Sequence, residues 1–201
     1  MYDMLRKILG CFLLILGLFG LIASFFVGYI GEQKNKEIIQ NFELYKNVEN
    51  NDYNEKTEDY LEEENNDYND DIIAILSIPS VDIKYPVMRG TSSDVLKKSL
   101  GYFENTALPG EKGNFAVAGH RNSSYAKFFN RLDEVEKGDE IIVETKNNEY
   151  VYVVEKSFEV HETETYVLEQ TSDATITLIT CVNGFNPKYR IIIQGYLKEG
   201  A

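Results

Sequence analysis

Histidine and cysteine occur only twice each in the 201 residues, proline four times, and 20 basic side chains face 33 acidic ones. Each scarcity closes a class of function. With so few ligands, a zinc site would need His120, His161 and Cys181 together, yet no pair has the close spacing of Cys-x-x-Cys or His-x-x-x-His. No metal or cofactor is expected. The deficit of basic charge removes the surface that nucleic-acid phosphates require, so no nucleic acid is expected either.

Charge is also missing locally. Residues 8–30 hold no charged side chain over 23 positions. As a helix this run reaches roughly 34 Å, enough to cross a ~30 Å hydrocarbon core. It is longer than the apolar region of a cleaved signal peptide and passes Ala23 and Ser24 without a polar break, so an uncleaved anchor is the better reading. Arg6 and Lys7 precede it, against Asp3 alone. Positive charge on the short side keeps the N-terminus cytoplasmic and sends the remainder outside, although Lys34 and Lys36 on the far side weaken that bias.

Three segments follow. Residues 1–30 are the cytoplasmic tip and transmembrane anchor. Residues 31–71 carry 14 acidic against 4 basic side chains and repeat Asn-Asp-Tyr-Asn at 51–54 and 66–69. Such composition buries too little apolar surface to offset chain entropy, and an acidic low-complexity linker is expected. Within it Ile38, Ile39, Phe42 and Tyr45 recur near the helical period, so a short helix over 32–46 is compatible with the pattern.

Residues 72–201 form the folded domain. β-branched and aromatic content predicts strands over 72–78, 81–87, 115–118, 140–145, 150–160, 174–181 and 190–197. Seven or eight strands in ~130 residues imply a mainly β barrel or sandwich. Helical spacing of apolar residues predicts two short helices, over 92–100 with a Ser92 or Ser93 cap and over 123–132.

Cys11 lies in the apolar run and Cys181 near the end of the chain, so they cannot meet if the anchor spans a membrane. The domain then holds one unpaired thiol, either buried and inert or chemically employed. Cys181 ends a predicted strand; a turn-forming segment, 182–188, leads to Arg190 at the start of the next. His120 ends another β run after Gly119. Strand ends converge at a barrel rim, which would bring the three together. A neighbouring cation favours the thiolate, an imidazole can protonate a leaving amine, and a guanidinium can hold a developing oxyanion. On spacing alone an inert cysteine remains the commoner case. His161, among Glu159, Glu162 and Glu164, reads as an exposed surface histidine.

The tetrad Ala118-Gly119-His120-Arg121, the pentad Thr177-Leu178-Ile179-Thr180-Cys181 and an Arg nine residues later together resemble the sortase signature, over about residues 72–201. The resemblance implies an eight-stranded β-barrel. It further implies cleavage between Thr and Gly of a Leu-Pro-x-Thr-Gly-like sorting signal on a secreted protein, and transfer through a thioacyl enzyme to a peptidoglycan precursor or another amine. On that pattern Cys181 is the nucleophile, His120 the general acid/base, Arg190 the stabiliser of substrate or oxyanion, and Thr180 a substrate contact. Residues 110–114 are similar to a class D stretch, with class A the neighbouring possibility, and no Asp-Pro-aromatic lid motif of the pilus-building class precedes the domain. A cell-membrane enzyme of a Gram-positive envelope is the implied setting. The alternatives are an anchored binding module with a structural cysteine and a thiol peptidase that transfers to water.

Overall fold

The computed structural model describes residues 2–50, 71–121, 125–182 and 188–198. The repeated Asn-Asp-Tyr-Asn tetrads and the turn residues 183–187 lie outside the described residues.

Helix α1 runs from Tyr2 to Asn50, and the barrel follows. Its strands are β1 (Ile72–Ile78), β2 (Ile83–Arg89), β3 (Leu100–Tyr102), β4 (Gly113–Ala118), β5 (Glu140–Glu144), β6 (Glu149–His161), β7 (Ala174–Cys181) and β8 (Tyr189–Leu197). They close in the order β1-β2-β3-β4-β7-β8-β6-β5. The mainly β, eight-stranded barrel expected from the resemblance is thus the observed fold. Inward positions alternate with outward ones, so Phe115 and Val117 of β4, Ile176 and Leu178 of β7, and Ile191 and Ile193 of β8 share one core.

Two expectations need correction. The helix over 92–100 is a single turn, α2 (Ser93–Leu96), whose cap Ser92 accepts the Val95 N–H through its hydroxyl at 3.4 Å. Leu100 instead begins β3, parallel to β2 and antiparallel to β4. The described part of 123–132 is not an α-helix: Phe128 takes a positive φ of 34°, which ends any helical path, and a 3-10 turn follows at Leu132–Glu134. The apolar period there is satisfied by burial. Phe128, Phe129 and Leu132 are fully buried and plug the barrel end.

The start of the segment read as a linker is helical, as the apolar spacing over 32–46 allows. Between residues 31 and 46 it continues α1 and lies against the barrel, where Ile38, Ile39 and Phe42 pack on Ile72, Ile75 and Met88. Burying Phe42 is worth about 1.5–3 kcal/mol. The accompanying exposed pair Lys84–Glu43, at 3.0 Å, is worth at most ~1 kcal/mol. The apolar stripe therefore decides the docking, and acidic composition did not prevent it. From Ile8 to Ile30 the helix keeps its large apolar side chains exposed, Leu14 at 76 % and Phe25 at 75 %, in a stretch of mean hydropathy 2.6 long enough to span a membrane.

Candidate active site

Three neighbouring strands assemble the site. β4 runs parallel to β7 with Ala118 beside Ile179, and Gly119 continues the ladder by donating its N–H to the Ile179 carbonyl at 3.0 Å. Carried two residues further, that register sets His120 beside Cys181, on strands ~4.8 Å apart. β7 and β8 are antiparallel and place Arg190 opposite Cys181. The Val182 N–H donates to the Tyr189 carbonyl at 3.1 Å, which makes Cys181 and Arg190 a non-hydrogen-bonded pair. Their Cα atoms are then about 4.5 Å apart and their side chains adjacent.

Alternation assigns the face. Residues 117, 178 and 191 point into the core, and a Cβ on Gly119 would come within 2.6 Å of Leu100 Cδ2 and Phe129 Cδ2, so 119 also faces inward. His120, Cys181 and Arg190 consequently form one row on the outer face at the rim. Cys181 is a free, partly exposed thiol. The three residues singled out from sequence are brought together by strand register.

The backbone of His120 is held from both sides. Its carbonyl accepts the Phe129 N–H at 3.1 Å, and the Gly119 carbonyl accepts the Thr180 hydroxyl at 2.8 Å. Thr180 is 2 % exposed. Its hydroxyl therefore joins the histidine's strand to the cysteine's strand rather than pointing at solvent. Thr180→Val keeps the volume and removes this bond. A loss of about 1 kcal/mol in stability is expected, together with a drop in turnover on the order of tenfold from misplacement of His120. Thermal melts and steady-state kinetics check both.

Arg190 Nη2 bonds Glu162 at 2.9 Å, and Nη1 donates to the Tyr189 carbonyl at 3.1 Å. The ion pair is partly exposed, enough to orient the guanidinium without locking it. Glu162 was not singled out from sequence. Only the β6–β8 register, which sets His161 against Tyr189, brings it to the rim. His161 packs edge-on against Tyr189 at 5.5 Å and faces Thr163 Oγ1 through Nδ1 at 2.9 Å. Among the described residues no three of His, Cys, Asp and Glu gather in a way that could hold a metal ion.

Beside the row, Val160, Val167 and Ile192 bury an apolar patch with Phe158, Leu168 and Ile179. Leu168 also lines a cavity of about 290 Å³ that is bounded on its other side by Thr91, Phe103 and Glu104. The outer face thus offers an apolar patch beside the row and, bounded by Leu168, a cleft.

The sequence matches the family model described as "Sortase domain" over residues 76–198. Sortase A of Listeria monocytogenes serovar 1/2a is 27 % identical over 208 residues, covering 98 % of this chain and 93 % of the relative. Sortase D of Bacillus subtilis (strain 168) is 32 % identical over 126 residues, 60 % of this chain and 61 % of the relative. Among solved structures, a Clostridium perfringens Sortase D5 transpeptidase superposes with a TM-score of 0.63 at 32 % identity, covering 85 % of this chain and 99 % of that one.

Proposed function

Since this chain belongs to the sortase family of cysteine transpeptidases, we propose that Cys181 is its nucleophile, His120 its general acid/base and Arg190 its oxyanion and substrate clamp. The observation that carries this is the lateral row His120–Cys181–Arg190 across β4, β7 and β8. The family's coarse activity is the anchoring of surface proteins. The finer reading is that the substrate carries a Leu-Pro-x-Thr-Gly-like signal and that the acceptor is a cell-wall amine.

In that reaction the Cys181 thiolate attacks the Thr carbonyl carbon, and the C–S bond forms as the carbonyl π electrons move to oxygen. Arg190 donates hydrogen bonds to the oxyanion. Collapse breaks the C–N bond, and the leaving Gly amine takes a proton from the His120 imidazolium. The neutral imidazole then accepts a proton from the incoming amine as it attacks the thioester, and thiolate departs. The apolar patch around Ile179 and Leu168 and the cleft by Thr91 and Phe103 suit the extended signal upstream of the scissile bond. Thr180 would act by positioning His120. The anchor would place the N-terminus in the cytoplasm and the barrel outside.

Arg190→Lys keeps the charge but loses the planar fork, and turnover is expected to fall by about 10² with KM changed less. Glu162→Gln, which only loosens the guanidinium, is expected to cost under about tenfold. Kinetics of the two variants side by side check the assignment.

The test of the whole reading is the full chain in lipid nanodiscs with a quenched Leu-Pro-x-Thr-Gly peptide library and a series of amines. Amine-dependent product with a subset of peptides is expected. No cleavage of any peptide, or cleavage whose products never include the amine, would overturn it. A domain starting at Asp71 is a poor reagent, because it would bare Ile75 and Met88.

A further inference from the structure

Phe115 and Val117 point into the core, so Asn114 belongs to the outer face of β4, yet it is 1 % exposed. The chain linking β6 to β7 covers it. Both amide hydrogens of Asn114 go to that chain: Nδ2 donates to the Val167 carbonyl at 2.9 Å and to the Glu169 carbonyl at 3.3 Å. Its Oδ1 accepts the Thr177 hydroxyl at 2.8 Å, and Thr177 Oγ1 accepts Gln194 Nε2 at 3.1 Å, which fixes the amide from β7 and β8. The Asn114 N–H donates to Gln170 Oε1 at 3.1 Å, and its carbonyl accepts the Ala107 N–H at 3.0 Å. Gln170 Nε2 reaches on to the Asn105 carbonyl at 3.5 Å. Gly113, at a φ of 123°, makes room for that glutamine, since a Cβ there would overlap Gln170 Oε1.

These bonds reach two walls of one cleft. The cavity of about 290 Å³ lies between Leu168 and residues 103–106. Leu168 ends the 3-10 turn Tyr166–Leu168, and the carbonyls on either side of it are the two that Asn114 holds. The facing wall is tied down at Ala107 by the Asn114 carbonyl and at Asn105 by the Gln170 amide. A buried amide whose donors and acceptor are all paired keeps its place, because breaking any of those bonds strands a polar group away from water. The Phe103 N–H donates to the Ala116 carbonyl, so the cleft stands level with residues 114–116, roughly 13–20 Å from His120 along the strand direction. An extended peptide with its scissile bond at Cys181 brings residues about four to six positions away to that depth.

We infer that Asn114 and Gln170 are positioning residues for the substrate: together they set the spacing between Leu168 and residues 103–106, so that the cleft is formed before any peptide arrives. This rests on the transpeptidase reading and on the place given there to the cleft. Neither residue touches the reacting atoms, and both act through the walls they hold. A preformed cleft spares the substrate the cost of ordering two loops. Loosening it therefore weakens binding and leaves the chemical step at Cys181 almost untouched.

The test compares the full chain in nanodiscs with Asn114→Asp, which keeps the shape but offers no donor to either carbonyl, and with Gln170→Ala. Amide hydrogen exchange over residues 103–107 and 165–170 is read beside steady-state kinetics on Leu-Pro-x-Thr-Gly peptides. Asn114→Asp is expected to speed exchange in both segments by about tenfold and to raise KM by about tenfold with kcat kept within about threefold. Gln170 is exposed, so its removal spares the fold; a KM rise of about threefold is expected. Unchanged exchange in Asn114→Asp overturns the inference, as does faster exchange with KM unchanged, or a loss confined to kcat. Should a melt show Asn114→Asp unfolded, Gln170→Ala decides alone, and a parental KM in it overturns the inference. A parent chain that cleaves no peptide counts against the transpeptidase reading instead, while exchange in the same samples still decides whether Asn114 holds the walls.

Discussion

Replacement of Cys181 by alanine is expected to lower transpeptidation by at least about 10³–10⁴-fold, to the background of the assay. The sequence holds one other thiol. The second thiol, Cys11, belongs to the apolar run of α1. Removing Cys181 should leave the fold unchanged, because the side chain stands on the outer face and is partly exposed rather than packed in the core. The melting temperature of Cys181→Ala should therefore match the parent within a few degrees, and the loss is chemical. Mass spectrometry should find a peptide thioester on the parent enzyme and none on the variant. Cleavage that persists in Cys181→Ala would transfer the nucleophile elsewhere and remove the basis of the mechanism.

The second large effect belongs to His120. His120→Ala is expected to lower turnover by about 10³-fold, within the range for loss of a general acid/base. Here too the substitution spares the scaffold. The contacts that place residue 120 are the backbone bonds from Phe129 and those of Gly119 with Ile179 and Thr180. None uses the imidazole. The pH–rate profile should lose one limb, since one titrating participant is gone. An added imidazole should restore part of the rate. A variant with unchanged profile and only a small loss would assign the proton transfers to another group.

Thr180→Val provides the contrast. It disturbs the same histidine through the Gly119 carbonyl. Its expected effect is smaller and accompanied by lost stability, whereas His120→Ala should be nearly silent in a melt. Comparing the two separates what the imidazole does from where it is held.

Several features of the fold are legible in the sequence. The charge-free run from Ile8 to Ile30 has one physical outcome over that length, an apolar helix, and α1 contains it. The β-branched content of 72–78 and 174–181 gives strands with those bounds, because β-propensity acts locally. The pentad ending in Cys181 and the tetrad holding His120 carried the family and, through it, the barrel. A three-residue strand with Gly101 at its centre gave no such signal. β3 exists only because β2 and β4 flank it, and its place was read as the end of a helix. The segment leading to Leu132 had helical spacing, yet its aromatics were placed by the barrel mouth they fill.

Sequence by itself determined the long apolar helix, the β class and the family, since hydropathy, β-propensity and motif are all written locally. Tertiary structure alone decided how those residues meet. The row His120–Cys181–Arg190 depends on registers between strands distant in sequence, which closure of the barrel sets. The pairing of Glu162 with Arg190 follows from the β6–β8 register. Tertiary packing also decided the docking of residues 31–46, where the composition is acidic but Ile38, Ile39 and Phe42 pack on Ile72, Ile75 and Met88 of β1 and β2. Burial is a property of the partner surface as well as of the segment, and no single stretch of sequence contains both.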